Sequence, residues 1–240
     1  MTRRMKMISN DRTQEIDFSF VYVKANEILL TSSAIEVFPF KMGPFIKEQS
    51  DIRLCSYRKA KEKYGVDISA FGSDSAILQE LCGACIIFYN QDEPDYRVRF
   101  SIMHEYAHYY LRHEMNLKKT DPRYQRQEIE ANCFAAQILM PEQMLRAASK
   151  RGYTINVDYI MKSFGVSEDA AQRRRATLAK YDYEWRKRAE KEYDDLILMK
   201  YAKVINNIAA QKQNRFCDFE EEYERQVERN AWLDTRSKWS

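Results

Sequence analysis

The chain has 240 residues, 45% of them hydrophobic and 31% charged, which is enough apolar material for a sizeable core. Its net charge of +3 is too small to single out nucleic acid as a partner, no apolar run is long enough to span a bilayer, and the basic start MTRRMKMISNDRTQEIDF leads into no signal-peptide core. The five cysteines, an odd number in a chain without a secretory signal, are expected as reduced thiols in a cytoplasmic protein.

Residues 1–15 are polar and expected to fray. From Ile16 to Ser32 a strand-like alternation (Ile16, Phe18, Phe20, Tyr22) competes with a helical spacing (Val23, Ala25, Ile28, Leu29), and the spacing favours helix. Pro39 and Gly43-Pro44 punctuate a loop, followed by a short helix around Phe45–Gln49. Asp51–Tyr57 alternates as a strand does, and Arg58–Tyr64 reads as a short basic helix stopped by Gly65. Gly83–Tyr89 is the clearest strand. Cys82 and Cys85 form a C-x-x-C with no second pair to complete a zinc knuckle, so they are expected as small buried residues. After a turn at Gln91–Pro94, Arg97–Phe100 is expected to return as a hairpin strand, giving a small antiparallel sheet.

Next comes RFSIMHEYAHYYLRHEM, which holds all three histidines of the chain. His104-Glu105-Tyr106-Ala107-His108 is the H-E-x-x-H pattern. On a helix, residues four apart share a face, so His104 and His108 can hold one divalent ion, with Glu105 beside it to take a proton from an attacking water. Ser101 is the expected N-cap. His113, nine positions after His104, points to the opposite side of a regular helix and is expected to pack or cap rather than to ligate. The glycine and further histidine of the metzincin pattern are lacking, so the third ligand must come from elsewhere.

A helix is expected over Tyr124–Leu139, ending at Met140-Pro141, and Pro141 opens another that closes near Gly152. The first of these, EIEANCFAAQILMP, offers Glu128 and Glu130 as ligands. Glu128 shares a face with Asn132, Ala135 and Leu139, where small alanines permit close helix approach, whereas Glu130 points away and suits solvent. Glu128 is therefore the better third ligand. Asn132, one turn on, is placed either to hydrogen-bond a ligand or to pack. Beyond Asn156, two helices joined by Phe164-Gly165-Val166-Ser167 look like a helix-turn-helix; a structural pair packed against the core is the favoured reading, and a DNA-binding unit gripping through Arg173, Arg174 and Arg175 is the rival. From Asp182 onward the charge is mixed and the period helical, with a hairpin expected around Gln213–Phe216.

The pairing of RFSIMHEYAHYYLRHE with EIEANCFAAQILMP, in this order and with the Leu-Met-Pro stop, resembles the ImmA/IrrE family of metallopeptidases over roughly residues 39–181. The resemblance implies zinc on His104, His108 and Glu128, with Glu105 as general base. Manganese or another divalent ion also suits such a ligand set. It also implies a cytoplasmic endopeptidase of narrow specificity that cuts a helix-turn-helix transcriptional repressor of a phage, a mobile element or a stress response. The fold expected is α+β: a helix-rich, zincin-like (gluzincin-type) core with a small antiparallel sheet, followed by helices. The expected division is an N-terminal segment 1–38, a peptidase core 39–153, a helix pair 154–181 and a helical stretch 182–240 that lies outside the resemblance. The rival expectation is a DNA- or protein-binding regulator whose metal site is sensory or structural.

Overall fold

The computed structural model describes residues 16–49, 51–81, 83–115, 117–180 and 186–206. The frayed start expected at 1–15, Cys82 of the C-x-x-C and the hairpin expected near Gln213–Phe216 lie outside them. The chain opens with α1 (Phe18–Thr31), whose first turn is capped by Asp17: its carboxylate accepts from the Phe20 amide at 3.0 Å. Gly43 and Pro44, expected in a loop, instead open α2 (Met42–Glu48), where a proline gives up no intrahelical hydrogen bond.

Three strands follow: β1 (Ile52–Ser56), β2 (Ala76–Leu81) and β3 (Ala84–Tyr89). Between β1 and β2 lie α3 (Tyr57–Tyr64), closed by left-handed Gly65 as expected, and a short 3-10 turn over Ile68–Phe71. The sheet order is β1-β3-β2, with Leu54 and Leu78 flanking Ile87. β2 pairs antiparallel with β3, but β1 pairs parallel to it, so the sheet is mixed where an antiparallel one was expected. The connection through α3 delivers β2 running against β1, and the tight turn from β2 into β3 reverses the chain again, so β3 runs in the direction of β1.

The expected hairpin strand at Arg97–Phe100 is absent. Those residues belong to α4 (Asp95–Tyr110), which starts at Pro94 and runs unbroken through the HExxH motif. Ser101 is therefore inside the helix and caps nothing. The helix wins because Val98 and Phe100 then pack on the core. The true hairpin partner of β3 is β2, which precedes it.

α5 (Pro122–Leu139) crosses α4 through the small residues Ala107, Ala131 and Ala135, all without solvent exposure. Asp121 caps it, accepting from the Arg123 amide at 2.8 Å. Pro141 breaks it and leads into α6 (Glu142–Lys150). α9 (Arg188–Lys200), from the stretch beyond the resemblance, packs on α1 and α6. Asp194 takes hydrogen bonds from Tyr22 and Gln143, both at 2.8 Å, and the Tyr201 hydroxyl reaches the carbonyls of Leu29 and Ile35. Residues near both ends of the described chain thus share one core with α4 and α5.

The helix pair is α7 (Val157–Phe164) and α8 (Glu168–Lys180), and their turn is docked on α4. Arg99 of α4 donates through Nη1 to the Phe164 and Gly165 carbonyls at 2.8 and 2.7 Å. Gly165 has φ +61°, and a Cβ there would lie 2.9 Å from Arg99 Nη1 and 3.1 Å from Pro39 carbons. Gly165→Ala combines backbone strain with that collision and is expected to cost about 2 kcal/mol, read as a lowered midpoint in urea unfolding. The three arginines of α8 do not share a face: Arg174 is buried, while Arg173 is exposed and pairs with Asp169 at 3.1 Å. A DNA grip built on all three loses its middle member to the core.

Candidate metal centre

α4 places His104 and His108 one turn apart with their Nε2 atoms 3.1 Å from each other. Glu128 of α5 enters between them, its Oε2 3.4 Å from His104 Nε2 and its Oε1 3.5 Å from His108 Nε2. One ligand atom from each residue lies within 4.8 Å of the others, a group that could hold a metal ion. A tetrahedral ion with bonds of about 2.0–2.1 Å has ligand–ligand edges of roughly 3.3–3.4 Å, so this spacing and this N, N, O donor set fit a small divalent cation. The three side chains are 16%, 14% and 33% exposed, so the group is open on one side rather than sealed.

The surrounding side chains hold the three in place. His104 Nδ1 lies 3.2 Å from Asn132 Oδ1, which gives Asn132 a partner at the site rather than a packing role alone. Tyr124, which sequence reasoning did not single out, hydrogen-bonds Glu128. Glu105 is half-buried beside the group, and its Oε2 accepts from the backbone amide of Leu78 on edge strand β2 at 2.8 Å. Tyr106, inside the motif, is fully buried and donates to Gln49 at 3.0 Å, away from the group.

Two expectations are overturned here. α4 ends at Tyr110, and Arg112 takes a left-handed turn with φ 56°, so the chain doubles back instead of continuing as a helix. That reversal, with the His113 amide bonded to the His108 carbonyl at 3.0 Å, brings His113 beside His108 rather than to the far side. His113 Nδ1 lies 3.0 Å from His108 Nδ1, and its Nε2 lies 3.2 Å from Glu130 Oε2. Glu130, expected in solvent without a role, has a side chain only 15% exposed and is also held by Arg126 at 3.4 Å.

A family profile for the IrrE N-terminal-like domain, a peptidase family, matches residues 61–175, which include every residue of this group. This stretch is thus similar to IrrE-type domains. No curated protein matches the chain. A solved structure that does match, a Mycobacterium tuberculosis transcriptional regulator, is 17% identical with a TM-score of 0.38; the match covers 72% of this chain and 49% of the other, so the chain spans about half its length.

The electrostatics of the site follow from its burial. Burial raises the Glu105 carboxyl above its usual range, which makes it a stronger base than a solvated glutamate. Burial disfavours charge on His104, but the hydrogen bond to Glu128 and the nearby carboxylates outweigh it and raise its pKa. Glu128 is lowered, first by its hydrogen bond from His104. Burial, with the neighbouring His104 and His113, lowers His108 to about 4. Positive charge is thus favoured between His104 and Glu128, where a cation would displace a proton. Beside the site, Phe100 and Ser101 of α4, Asn132, Cys133 and Ala136 of α5 and Val21 of α1 line a groove of about 1110 Å³. No helix among the described residues is long and apolar enough to cross a membrane.

Proposed function

We propose that the chain is a zinc-dependent cytoplasmic endopeptidase that cuts a specific protein partner, a helix-turn-helix transcriptional repressor. The observation that carries this reading is the convergence of His104, His108 and Glu128 at edges of 3.1, 3.4 and 3.5 Å, with the half-buried Glu105 carboxylate alongside. The peptidase family match supports the reaction class, and the resemblance of the two motifs to the ImmA/IrrE family supports the repressor as substrate. The groove beside Asn132 exceeds the usual range of about 300–1,000 Å³ for small-molecule pockets and suits a stretch of polypeptide.

In this reading His104 and His108, through Nε2, and Glu128, through its carboxylate, hold the ion. When bound, the divalent ion supplies Lewis-acid polarisation of the scissile carbonyl and acidifies water towards neutrality. Glu105, fixed by the Leu78 amide at Oε2, takes the proton of the attacking water and passes it to the leaving amine as the C–N bond breaks. Asn132 and Tyr124 keep His104 and Glu128 turned to the ion.

The test is co-expression with candidate helix-turn-helix repressors, followed on gels and by mass spectrometry. Cleavage at a defined bond, with stoichiometric zinc, is expected for the wild type. Glu128→Ala is expected to lose both the zinc and the cleavage while keeping its far-ultraviolet circular dichroism. Undiminished cleavage by that variant would remove the third ligand from the reading.

A further inference from the structure

We propose that His113 and Glu130 are positioning residues that fix the ring tautomer of His108, a role that rests on reading His108 as a metal ligand through Nε2. The argument is one of where protons can sit. A ligating Nε2 must present its lone pair to the cation, so the single proton of neutral His108 belongs on Nδ1. That Nδ1 is 3.0 Å from His113 Nδ1. Two N–H groups cannot face each other at that distance, so His113 Nδ1 is the acceptor and the His113 proton belongs on Nε2. Nε2 in turn lies 3.2 Å from Glu130 Oε2, which can only accept while ionised. The other carboxylate oxygen faces Arg126 Nε at 3.4 Å. Each proton in the line from His108 through His113 to Glu130 therefore has one place, and that place leaves His108 Nε2 free for the ion.

The backbone around the line is organised to the same end. The left-handed Arg112 sends His113 back over the helix end, and its side chain is 5% exposed, wedged between α4 and α5. On α5, Glu128 faces the site directly, while Asn132 and Glu130 back the two histidines from either side. A ligating imidazole that donates its other N–H to an acceptor is held in both orientation and protonation. His104 has a direct acceptor in Asn132, and His108 reaches its carboxylate through a second imidazole.

The test compares His113→Leu with His113→Gln in the full chain. Leucine fills space but accepts nothing. Glutamine can accept from His108 through its carbonyl oxygen and donate to Glu130 through its amide. Zinc affinity is measured by competition with a chromophoric chelator, and melting is followed with and without zinc. His113→Leu is expected to bind zinc about 10–100-fold more weakly, with a smaller zinc-induced rise in melting temperature. His113→Gln is expected to recover most of the affinity. Glu130→Leu, approached from the more open side, is expected to shift affinity in the same direction. Wild-type affinity in both leucine variants, or a loss that glutamine does not rescue, would overturn the positioning role. If the wild type takes up no zinc, or uptake survives His104→Ala, the ligand reading falls and this inference falls with it.

Discussion

If the chain is the endopeptidase proposed above, Glu105→Gln is expected to retain full zinc occupancy and to cut cleavage of the partner by about 10²–10⁴-fold, the range contributed by general acid–base catalysis. The substitution is nearly isosteric, and the glutamine carbonyl can still accept from the Leu78 amide that now bonds Glu105 Oε2 at 2.8 Å. It touches none of the three atoms that would hold the ion, so metal content should not change. What it removes is the only function glutamine cannot imitate, the capacity to accept and release a proton. Burial lifts the Glu105 pKa, so the wild-type carboxylate is a better proton acceptor than one in water, and the loss should be at the upper part of that range. The measurement pairs zinc analysis with the rate of appearance of a cleaved fragment. Full zinc with an unchanged rate would show that another group takes the proton.

The site was legible where it depends on local periodicity. His104 and His108 converge because four residues make nearly one turn, and Glu128 was separable from Glu130 because only one of them shares the alanine-lined face of α5. What was not legible depends on where a helix stops and on what lies far away in sequence. His113 was placed on the wrong side because its position was extrapolated along a helix that ends before it. No spacing rule announces the left-handed turn at Arg112, a residue without the usual preference for that conformation. Glu130 followed the same error, since its partner was expected elsewhere. The sheet failed for a different reason: RVRF alternates as a strand does, but Pro94 and the packing of Val98 and Phe100 extend the helix through it. β2 is apolar over its first three residues and then turns polar at Gln79 and Glu80 towards the turn into β3, so it gave little periodic signal. Parallel pairing of β1 with β3 joins segments some thirty residues apart and leaves no mark on either.

Arg174→Ala is expected to be the most destabilising single substitution proposed for this chain, by about 3–5 kcal/mol, as for one partner removed from a buried charge network. Arg174 sits on α8 but serves α5: Nε donates to the Met140 carbonyl at 2.9 Å, and Nη2 donates to the Ala136 carbonyl at 2.9 Å and to Gln137 Oε1 at 2.7 Å. Near the C-terminal end of α5 the Ala136 carbonyl also takes the Met140 amide at 3.0 Å, but the proline at 141 has no amide hydrogen with which to continue the pattern. Alanine would remove the side-chain donor from the Met140 carbonyl, leave Ala136 and Gln137 with one backbone donor each, and leave the Glu142 carboxylate short of a cation, although Arg186 and Arg146 still reach it at 2.7 Å. Arg173→Ala, one position away, removes only an exposed pair with Asp169 and should change stability by less than about 0.5 kcal/mol. Urea unfolding of the two variants measures the contrast, and similar midpoints would show that Arg174 is not the clamp its hydrogen bonds describe. The same contrast reaches function, because the helix that Arg174 steadies carries Glu128, Glu130 and Asn132. Loosening one end of α5 should therefore weaken zinc binding in Arg174→Ala, whereas Arg173→Ala should bind as the wild type does.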